Sequence, residues 1–543
     1  MSKIDWIILI GTLGSIIAYG IYKSKTSKNL EGYFLSNRSL PWYLVLLSIM
    51  GTQASAITFL TGPGQSYSDG MRFVQYYFGL PLAMIVISIF FVPVFNRLKV
   101  YTAYEFLEQR FDLKTRTFTS FLFLLSRGLS TGISIYAPSL VLSSLMGWNI
   151  YYTNLVMGGL LIIYTMSGGA KAVAHTQKLQ MIIVFISLFI VGYLAVKLLP
   201  AAVGFNDALS MAGEQGKMNI ITTGFTDKGF DWKDKYNIWS GLIGGFFLAL
   251  SYFGTDHSQV GRYLTAKNIK ESRKGLLLNG LVKVPMQFFI LLIGILIFSF
   301  YQYQKAPIYF AESTSVAAKQ TPFKDSLLII ETKYDEALVS GDRPGATSLR
   351  AEYKRILKKA LPGQDVNDNN YIFLRFVKDN LPIGLIGIIF AIIFLAAWGS
   401  IAAALNALAA CTVVDFHKKF FTKNETELED YKTSQWYTLG WGLFCIVIAM
   451  FAQNIGNSLI EAVNILGSIF YGVILGIFLV AFWLKKIKGN AVFIAAVVSE
   501  GLIIAIYYMD IISFLWLNVI GAMLVIVIST VLQVFMKKEV EGL

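Results

Sequence analysis

Gly51-Thr52-Gln53-Ala54-Ser55-Ala56 interrupts, halfway along, a hydrophobic segment that runs from about Trp42 to Leu60. A second segment begins near Trp239, five spans further on, and is interrupted in the same way at Gly254-Thr255-Asp256-His257. A helix that unwinds inside a bilayer exposes peptide groups that hydrocarbon cannot satisfy, so such breaks persist only where they face a cavity, an ion or a substrate. The two breaks therefore predict a membrane transporter for a small solute.

Composition places the chain in a membrane. Of its 543 residues, 55% are hydrophobic and 15% are charged, which is far too apolar for an ordinary soluble domain. We count thirteen segments of about twenty residues, the length that crosses a bilayer, centred near residues 13, 51, 87, 130, 158, 188, 247, 287, 395, 443, 471, 498 and 523. No small-residue cleavage site follows the first segment, so we expect it to be retained rather than removed as a signal peptide.

The net charge of +13 reflects how the chain crosses the membrane. Lys and Arg cluster after odd-numbered spans, for example Arg97, Lys99, Arg110 and Lys114 after the third and Arg262, Lys267, Lys270, Arg273 and Lys274 after the seventh. By the positive-inside rule these loops are cytoplasmic, which places the N-terminus outside and the C-terminus inside. We therefore expect a multi-pass protein of the plasma (inner) membrane and no nucleic-acid partner.

Two halves with opposite orientation follow from the same span count. Spans two to six (41–200) and seven to eleven (237–484) each open with a broken helix and enter the membrane from opposite sides, which predicts an inverted repeat with a site between the halves. Residues 1–40 and 485–543 would then be peripheral, and residues 201–236 and 301–380 would form the two large outer loops. Cys411 and Cys445 lie within predicted spans, so we expect packing residues rather than a disulfide or a transition-metal site.

The longer outer loop contains helical patterning. From Lys324 to Ala360, Leu and Ile alternate with charged residues at roughly helical spacing, and Gly341-Asp342-Arg343-Pro344-Gly345 splits the stretch. This pattern predicts a surface helical hairpin. A lid or a docking site for a partner is the alternative.

Six stretches of the chain resemble the solute:sodium symporter family, which includes sodium/glucose, multivitamin, monocarboxylate and iodide cotransporters. The resemblance covers spans one to eleven, and its stretches are Tyr33-Phe34-Leu35 with Ser39-Leu40-Pro41-Trp42, Thr102 to Phe111, Tyr136-Ala137-Pro138-Ser139-Leu140, Gly168-Gly169 with Lys171-Ala172-Val173, Gln259-Val260 with Arg262-Tyr263-Leu264, and Leu405-Asn406-Ala407. It implies an all-α polytopic membrane protein with a LeuT-type five-plus-five inverted repeat and extra helices.

The resemblance also implies a sodium site made of the carbonyls of Gly51, Ala54 and Ala396 and the hydroxyl of Ser400. Such oxygens bind a hard cation without burying a full negative charge. The family often has two consecutive hydroxyl residues here, whereas this chain has Gly399 before Ser400, so a water or Thr52 is the expected substitute. Alternatively, Ser400 is only a small residue that lets helices pack closely.

The chain departs from the family again at His175-Thr176-Gln177, where the family commonly shows Trp-Thr-Asp. The acidic residue proposed to assist sodium on its way inward is therefore absent. Asp256 is a candidate for an analogous charge, because a carboxylate inside a membrane is a functional candidate by default. Its alternative role is to cap the second half of the broken helix.

Candidate substrate contacts come from the same comparison. Positions that match sugar contacts of a bacterial galactose cotransporter include Thr58, Tyr77, Lys283 and Asn464, of which only Lys283 keeps its residue type. Tyr252 matches the aromatic residue that closes the sugar site, although an aromatic side chain at a break is also often core. Further polar or aromatic candidates are Gln53, Tyr76, Phe253, Asp256 and His257.

Arg127 lies in the middle of an otherwise apolar span, one helical turn before Ser130. The position of Ser130 matches a carboxylate-binding arginine of the family's sialic acid transporters. A guanidinium offers a planar fork for a carboxylate, so a sugar acid or monocarboxylate is favoured if Arg127 contacts substrate. The alternative is an arginine that pairs with backbone or extends to the membrane surface.

The sequence thus favours a sodium-coupled symporter that imports a sugar, a sugar acid or a monocarboxylate by alternating access, with Na⁺ as coupling ion and no other cofactor. A carrier of a vitamin or an inorganic anion is the nearest alternative, and a channel or a transporter-like sensor is less favoured. An enzyme is not expected, since the chain has three histidines and no evident paired catalytic groups. ATP-driven transport is not expected either, because no Gly-Lys-Ser/Thr nucleotide-binding loop appears. The partners implied are the solute, Na⁺ and the lipid bilayer, and the oligomeric state is not indicated.

Overall fold

The first broken span consists of two helices, Trp42–Gln53 and Ala56–Asp69, that are bent by 59° relative to one another. The structure, a computed structural model, describes residues 1–23, 29–363, 365–421, 426–452 and 458–541. The helices of the first half are α1 (Lys3–Lys23), α2 (Leu30–Leu35), α3 (Trp42–Gln53), α4 (Ala56–Asp69), α5 (Leu80–Val86), α6 (Val92–Leu98), α7 (Glu105–Arg110), α8 (Leu113–Met146) and α9 (Ile150–Lys197). Short 3₁₀ helices at Ser36–Arg38 and Met71–Tyr77 and a π-helix at Ile87–Phe91 complete this half.

The second half follows a loop that contains α10 (Phe205–Glu214) and two paired strands, β1 (Phe225–Thr226) and β2 (Gly229–Phe230). Its helices are α11 (Gly245–Gly254), α12 (His257–Leu264), α13 (Ile269–Tyr303), α14 (Glu312–Ala318), α15 (Lys324–Ser340), α16 (Arg343–Ala360), α17 (Asn369–Asn380), α18 (Leu385–Cys411), α19 (Lys418–Phe420), α20 (Glu427–Phe451), α21 (Leu459–Trp483), α22 (Gly489–Tyr508) and α23 (Phe514–Glu541). Two π-helices, Ser240–Gly244 and Thr412–His417, adjoin α11 and α18.

Within the described residues, ten helices are long and apolar enough to cross a membrane, or eleven if α3 and α4 count as one span. Two further predicted spans correspond to shorter apolar helices, Ile150–Met166 and Ser240–Gly254. The predicted class, an all-α polytopic membrane protein, is confirmed. The exact number of thirteen spans stays a prediction.

Helix α9 accounts for two of the predicted spans. Its 48 residues are assigned as one helix, yet the hydroxyls of Tyr164 and Thr176 lie 2.7 Å apart. Twelve residues of straight helix would separate them by about 18 Å along the axis. The chain therefore bends sharply between these residues, and two helical arms result.

Both breaks are narrower than the sequence predicted. In the first, Gly51, Thr52 and Gln53 remain helical, and the unwound residues are Ala54 and Ser55. In the second, α11 ends at Gly254 and α12 begins at His257, so only two residues lie between them. A break of two residues is enough to redirect the chain and to leave the carbonyls of the last helical turn without their usual partners.

The centre of the bundle is α18. Its side chains are buried along nearly the whole helix, and it contacts α1, α3, α8, α9 and α20. Ala402, Ala403 and Ala404 allow close approach of its neighbours, as small residues do at helix contacts in membranes. Because α3 and α18 are in contact, the first break lies against the central helix.

The helical hairpin predicted for residues 324–360 is confirmed as α15 and α16. Gly341 adopts a positive φ of 76° at the end of α15, and Asp342 accepts a hydrogen bond from the backbone N–H of Gly345 at the start of α16. The hairpin shares a hydrophobic cluster with the residues around α14, which includes Tyr309, Leu327 and Tyr353. We call residues 301–380 the insertion lobe.

Candidate functional site

A central cavity lies between the two broken helices. It comprises about 1000 Å³ of space, including its open mouth. Its walls come from α3 and α4, the segment that follows α4, α8, α11, α12, α18 and α21. Eight of the eleven predicted substrate residues line it: Gln53, Thr58, Tyr76, Tyr77, Arg127, Tyr252, Phe253 and Asn464. Ser55 of the first break and the residues on either side of the second break, Phe253 and Ser258, therefore border a shared cavity.

Of the four predicted sodium residues, Ser400 lines this cavity, whereas Gly51, Ala54 and Ala396 lie outside the lining. Ser400 borders it together with Thr52, Gln53 and Ser55 of the first break. The Ser400 hydroxyl donates to the carbonyls of Ala396 and Ala397, at 2.9 and 3.1 Å, so its lone pairs stay available to a cation. The backbone N–H of Ser55 bonds to Gln53 at 3.1 Å, which leaves the Gly51 carbonyl without its helical partner. Both features suit a site of neutral oxygens.

Gln177 connects the first break to α18. Its side-chain amide nitrogen donates to the Thr52 hydroxyl and to the Gly399 carbonyl, both at 3.1 Å, and its amide oxygen accepts from Ser48 at 2.7 Å. The side chain is fully buried. The residue that replaces the family's acid is thus a bridge between the two elements that carry the predicted sodium ligands.

Two glycines make room for this bridge. A Cβ added at Gly51 would lie 3.0 Å from the Gln177 side chain, and one added at Gly399 would lie 2.6 Å from the Gln180 amide oxygen and 3.1 Å from the Gln177 Cγ. The departure from a hydroxyl residue at position 399 therefore has a steric reason in this chain. A larger residue there would push against Gln177 and Gln180.

Arg127 is held by an acidic partner, which neither alternative from the sequence included. Its Nε lies 3.1 Å from Asp256 Oδ2, and its Nη2 bonds to the same oxygen and, at 2.6 Å, to the Tyr471 hydroxyl. Tyr471 in turn donates to Asp256 at 2.8 Å. The guanidinium carbon lies 5.3 Å from the centre of the Tyr252 ring. Arg127 thus belongs to a buried ionic cluster that still borders the cavity, with 11% of its side chain exposed.

Asp256 itself does not line the cavity, and it has two roles at once. One carboxylate oxygen binds Arg127 and Tyr471, whereas the other accepts from the backbone N–H of Ser258 at 2.8 Å and from its hydroxyl at 2.6 Å. The second set of bonds is an N-cap of α12. The capping role predicted as an alternative is therefore present together with a charged role.

The remaining candidates differ in their access to the cavity. The Tyr76 hydroxyl donates to Asn464 at 3.1 Å, which joins the segment after α4 to α21 across the cavity. Lys283 is fully buried outside the lining, with its ammonium 5.5 Å from the Tyr77 ring. His257 is buried at the start of α12 and also lies outside the lining. Substrate contact by these residues stays a prediction.

Among the lining residues that the sequence did not indicate are Tyr471, Thr131 and Ser134. Thr131 and Ser134 follow Arg127 at four and seven residues, so they share its face of α8. That spacing was available in the sequence. Tyr471 carried no such signal, because it lies in an apolar span on a helix distant in sequence.

Comparison with known proteins identifies the class as a membrane transporter. The model of the sodium:solute symporter family matches residues 33–321 and 350–499, which is more than half of the chain. The chain belongs to this family. The resemblance stated from the sequence is confirmed, and so is the expectation that the protein is a transporter rather than an enzyme.

Individual relatives match over nearly the full length. The chain is 24% identical to the sodium/sialic acid symporter NanT of Aliivibrio fischeri over 536 residues, 97% of this chain and 92% of the relative. It is also 24% identical to the sodium/glucose cotransporter of Vibrio parahaemolyticus, over 92% of this chain and 84% of that one. A solved structure of a Na⁺-coupled sialic acid symporter matches 98% of both chains with a TM-score of 0.79 at 23% identity. This structural likeness establishes the LeuT-type fold.

Proposed function

We propose that this sodium:solute symporter imports a small polar organic solute, a sugar, a sugar acid or a monocarboxylate, by alternating access. Na⁺ binds the carbonyls of Gly51, Ala54 and Ala396 and the Ser400 hydroxyl, and the solute binds in the central cavity. The observation that carries this proposal is that Ser400 lines the same cavity as Thr52 and Ser55 at the first break and as eight of the substrate candidates. A cation on the Gly51 and Ala54 carbonyls and a solute against Gln53 would contact the same short stretch, Gly51 to Ser55.

Coupling follows from this shared wall. A cation that draws the end of α3 toward α18 orders the cavity wall and raises the affinity for the solute, and by linkage the solute raises the affinity for the cation. One positive charge gains about 2.3 kcal/mol from 100 mV of membrane potential, and a tenfold sodium gradient adds about 1.4 kcal/mol. One Na⁺ per cycle would thus support a solute gradient of several hundredfold. The inward sodium gradient sets this direction of transport, and the basic loops separately predict an N-terminus outside, in a plasma (inner) membrane.

The lining supports a polyhydroxylated or carboxylated solute. Hydroxyl and amide groups of Thr58, Tyr76, Thr131, Ser134 and Asn464 border the cavity between aromatic rings. Such polar groups fix the orientation of a ligand inside a mostly apolar pocket. Relatives named for sialic acid and glucose transport are consistent with this class. A substrate carboxylate would have to share Arg127 with Asp256, so an acid substrate is expected to rearrange that pair.

Uptake into proteoliposomes tests the proposal. With radiolabelled galactose, N-acetylneuraminate and lactate as probes, we expect at least one to accumulate with an inward Na⁺ gradient and not with choline. Ser400→Ala should raise the sodium concentration needed for half-maximal uptake about tenfold. The matched control is Ser529→Ala, because Ser529 is also buried and bonded to its own helix backbone but lies in peripheral α23. Equal uptake of every probe in sodium and choline would refute sodium coupling.

A further inference from the structure

A second cavity lies between the insertion lobe and the end of α8. It spans about 1370 Å³, including its open mouth. Its walls are the last turns of α8, the turn into α9, α14, the stretch that leads into α17, and the single residues Ala452 after α20 and Leu459 at the start of α21. None of its lining residues belongs to the predicted substrate or sodium set. It is therefore separate from the site described above.

The lining has the composition of a carbohydrate site. Five aromatic side chains border it, namely Tyr136, Trp148, Tyr151, Tyr309 and Tyr371. Asn149, Asn367, Asn370 and the hydroxyls of Ser143, Ser313 and Thr314 lie between them. Aromatic faces pack against the C–H faces of a sugar ring, and amides and hydroxyls donate to and accept from its hydroxyls. Trp148 is 46% exposed at the rim, so its ring is available for such packing.

The charge of the lining selects among carbohydrates. Among the described lining residues, Asp365 is the only one with a formal charge at neutral pH. Its Oδ1 accepts from the backbone N–H of Asn367 at 3.0 Å, which holds the carboxylate in place. A carboxylate accepts hydrogen bonds from sugar hydroxyls but repels an anion. An uncharged sugar therefore fits this lining better than a sugar acid does.

The wall formed by the lobe is held in position by a buried charge cluster. Asp368 is fully buried and accepts from the backbone N–H of Phe310 at 2.9 Å, from Arg350 at 2.9 Å and from Lys354 at 2.5 Å. These bonds tie the stretch that carries Tyr309 to α16 and to the start of α17. A preformed wall lowers the entropy cost of binding.

The second cavity lies near the first along α8. Helix α8 borders the central cavity at Thr131 and Ser134 and the second cavity at Leu140 and Ser143. Nine residues from Ser134 to Ser143 correspond to about 13 Å along the helix. Leu459 borders the second cavity and Ile460 borders the first. The two cavities are therefore close but distinct.

We propose that the second cavity is a binding site for an uncharged carbohydrate, in addition to the central site. The test uses the full-length purified chain in detergent with choline in place of sodium. Saturation-transfer NMR with maltose and with galactose should show saturable binding. Any binding of N-acetylneuraminate should be unchanged by substitutions in the second cavity.

Variants distinguish the two cavities. Trp148→Ala and Asp365→Asn should each weaken maltose binding about tenfold, because one removes a packing surface and the other removes a charged acceptor. Asn464→Ala in the central cavity should leave this binding unchanged, and so should Tyr508→Ala, a control tyrosine that is 82% exposed at the end of α22. Absence of saturable transfer would overturn the proposal. Loss of transfer in Asn464→Ala, with none in Trp148→Ala or Asp365→Asn, would equally overturn it by assigning the sugar to the central cavity.

Discussion

Asp256→Asn separates the two roles of the carboxylate at the second break. An asparagine oxygen can still accept from the Ser258 N–H, and Asn is as good an N-cap as Asp. The change removes the charge that compensates Arg127, and it places the amide NH₂ where Asp256 Oδ2 accepted from Arg127 and Tyr471. Asp256→Ala removes the cap as well. The difference between the two variants therefore measures the cap, and the first variant alone measures the ion pair together with the hydrogen bond from Tyr471.

The expected magnitudes follow from burial. Removing one partner of a buried ion pair costs about 3–5 kcal/mol, because the other charge stays buried without compensation. Arg127 keeps 11% of its side chain exposed to the cavity, which places the cost of Asp256→Asn at the lower end, about 3 kcal/mol. Losing the cap adds about 1 kcal/mol in Asp256→Ala. Arg127→Met combined with Asp256→Asn should recover most of the loss, since no unpaired charge remains.

The two cysteines provide the assay. Cys411 and Cys445 are both free and fully buried, so a thiol-reactive dye reports their exposure as the protein unfolds. Unfolding is followed in mixed micelles with increasing SDS, and the free energy of unfolding is compared among the three variants and the unmodified chain. If Asp256→Asn is as stable as the unmodified chain, or if the double variant is no more stable than Asp256→Asn, the ion pair does not have the role argued here.

Three further predictions concern other parts of the molecule. Gln177→Ala should raise the sodium concentration for half-maximal uptake about tenfold, because α3 loses its bridge to the Gly399 carbonyl; an unchanged sodium dependence would contradict this. Tyr104→Phe should slow uptake severalfold while the protein stays folded by the thiol assay, because the buried Tyr104 hydroxyl donates at 3.0 Å to the unwound Thr255 carbonyl; uptake at the original rate would show that this bond is dispensable. Burial opposes ionisation of Asp368, but the positive charges of Arg350 and Lys354 have the larger effect and lower the pKa of Asp368 below the usual 3.8. The insertion lobe should therefore lose stability as the pH falls below about 4, because Asp368 then becomes protonated and its ion pairs are lost. Hydrogen exchange of residues 324–360 at pH 3 and pH 6, corrected for intrinsic rates, checks this, and equal protection at both would refute it.

The sequence predicted the broken helices because their signal is local. Small and polar residues in the middle of an apolar segment indicate a helix break, because unwound peptide groups are stable inside a membrane only where they face a cavity, an ion or protein. Both breaks appear within the stretches named. Their exact length was not predictable, since the end of α3 is bonded to α9 through Gln177 and Thr52, a contact between residues that are distant in the sequence. The hairpin of α15 and α16 was predictable for the same reason as the breaks, because Gly341 and Asp342 punctuate a helical pattern.

Pairings between distant elements were not predictable. Arg127 and Asp256 were each identified as candidates, but 129 residues separate them, and no spacing rule joins α8 to the second break. Tyr471 completes their cluster from a third helix and had no polar neighbours to mark it. Gln177 was recognised as a departure from the family, whereas its bridge to Thr52 and Gly399 depends on two glycines that only the packed structure brings together.

Helix α4 links the three regions to which we assign function. Its first residues adjoin the sodium candidates at the break, Thr58 borders the central cavity, and its last turns meet the start of α17, which borders the second cavity. The last contact is tight, because a Cβ at Gly64 would overlap the Asn369 carbonyl, and the Ser68 hydroxyl donates to the Asn369 side chain at 2.8 Å. A movement of α4 about the unwound Ala54 and Ser55 must therefore displace α17 or break this contact. Since α17 carries Asn370 and Tyr371 of the second cavity, a ligand there and a cation at the break would act on the same helix from opposite ends, and each would change the affinity for the other.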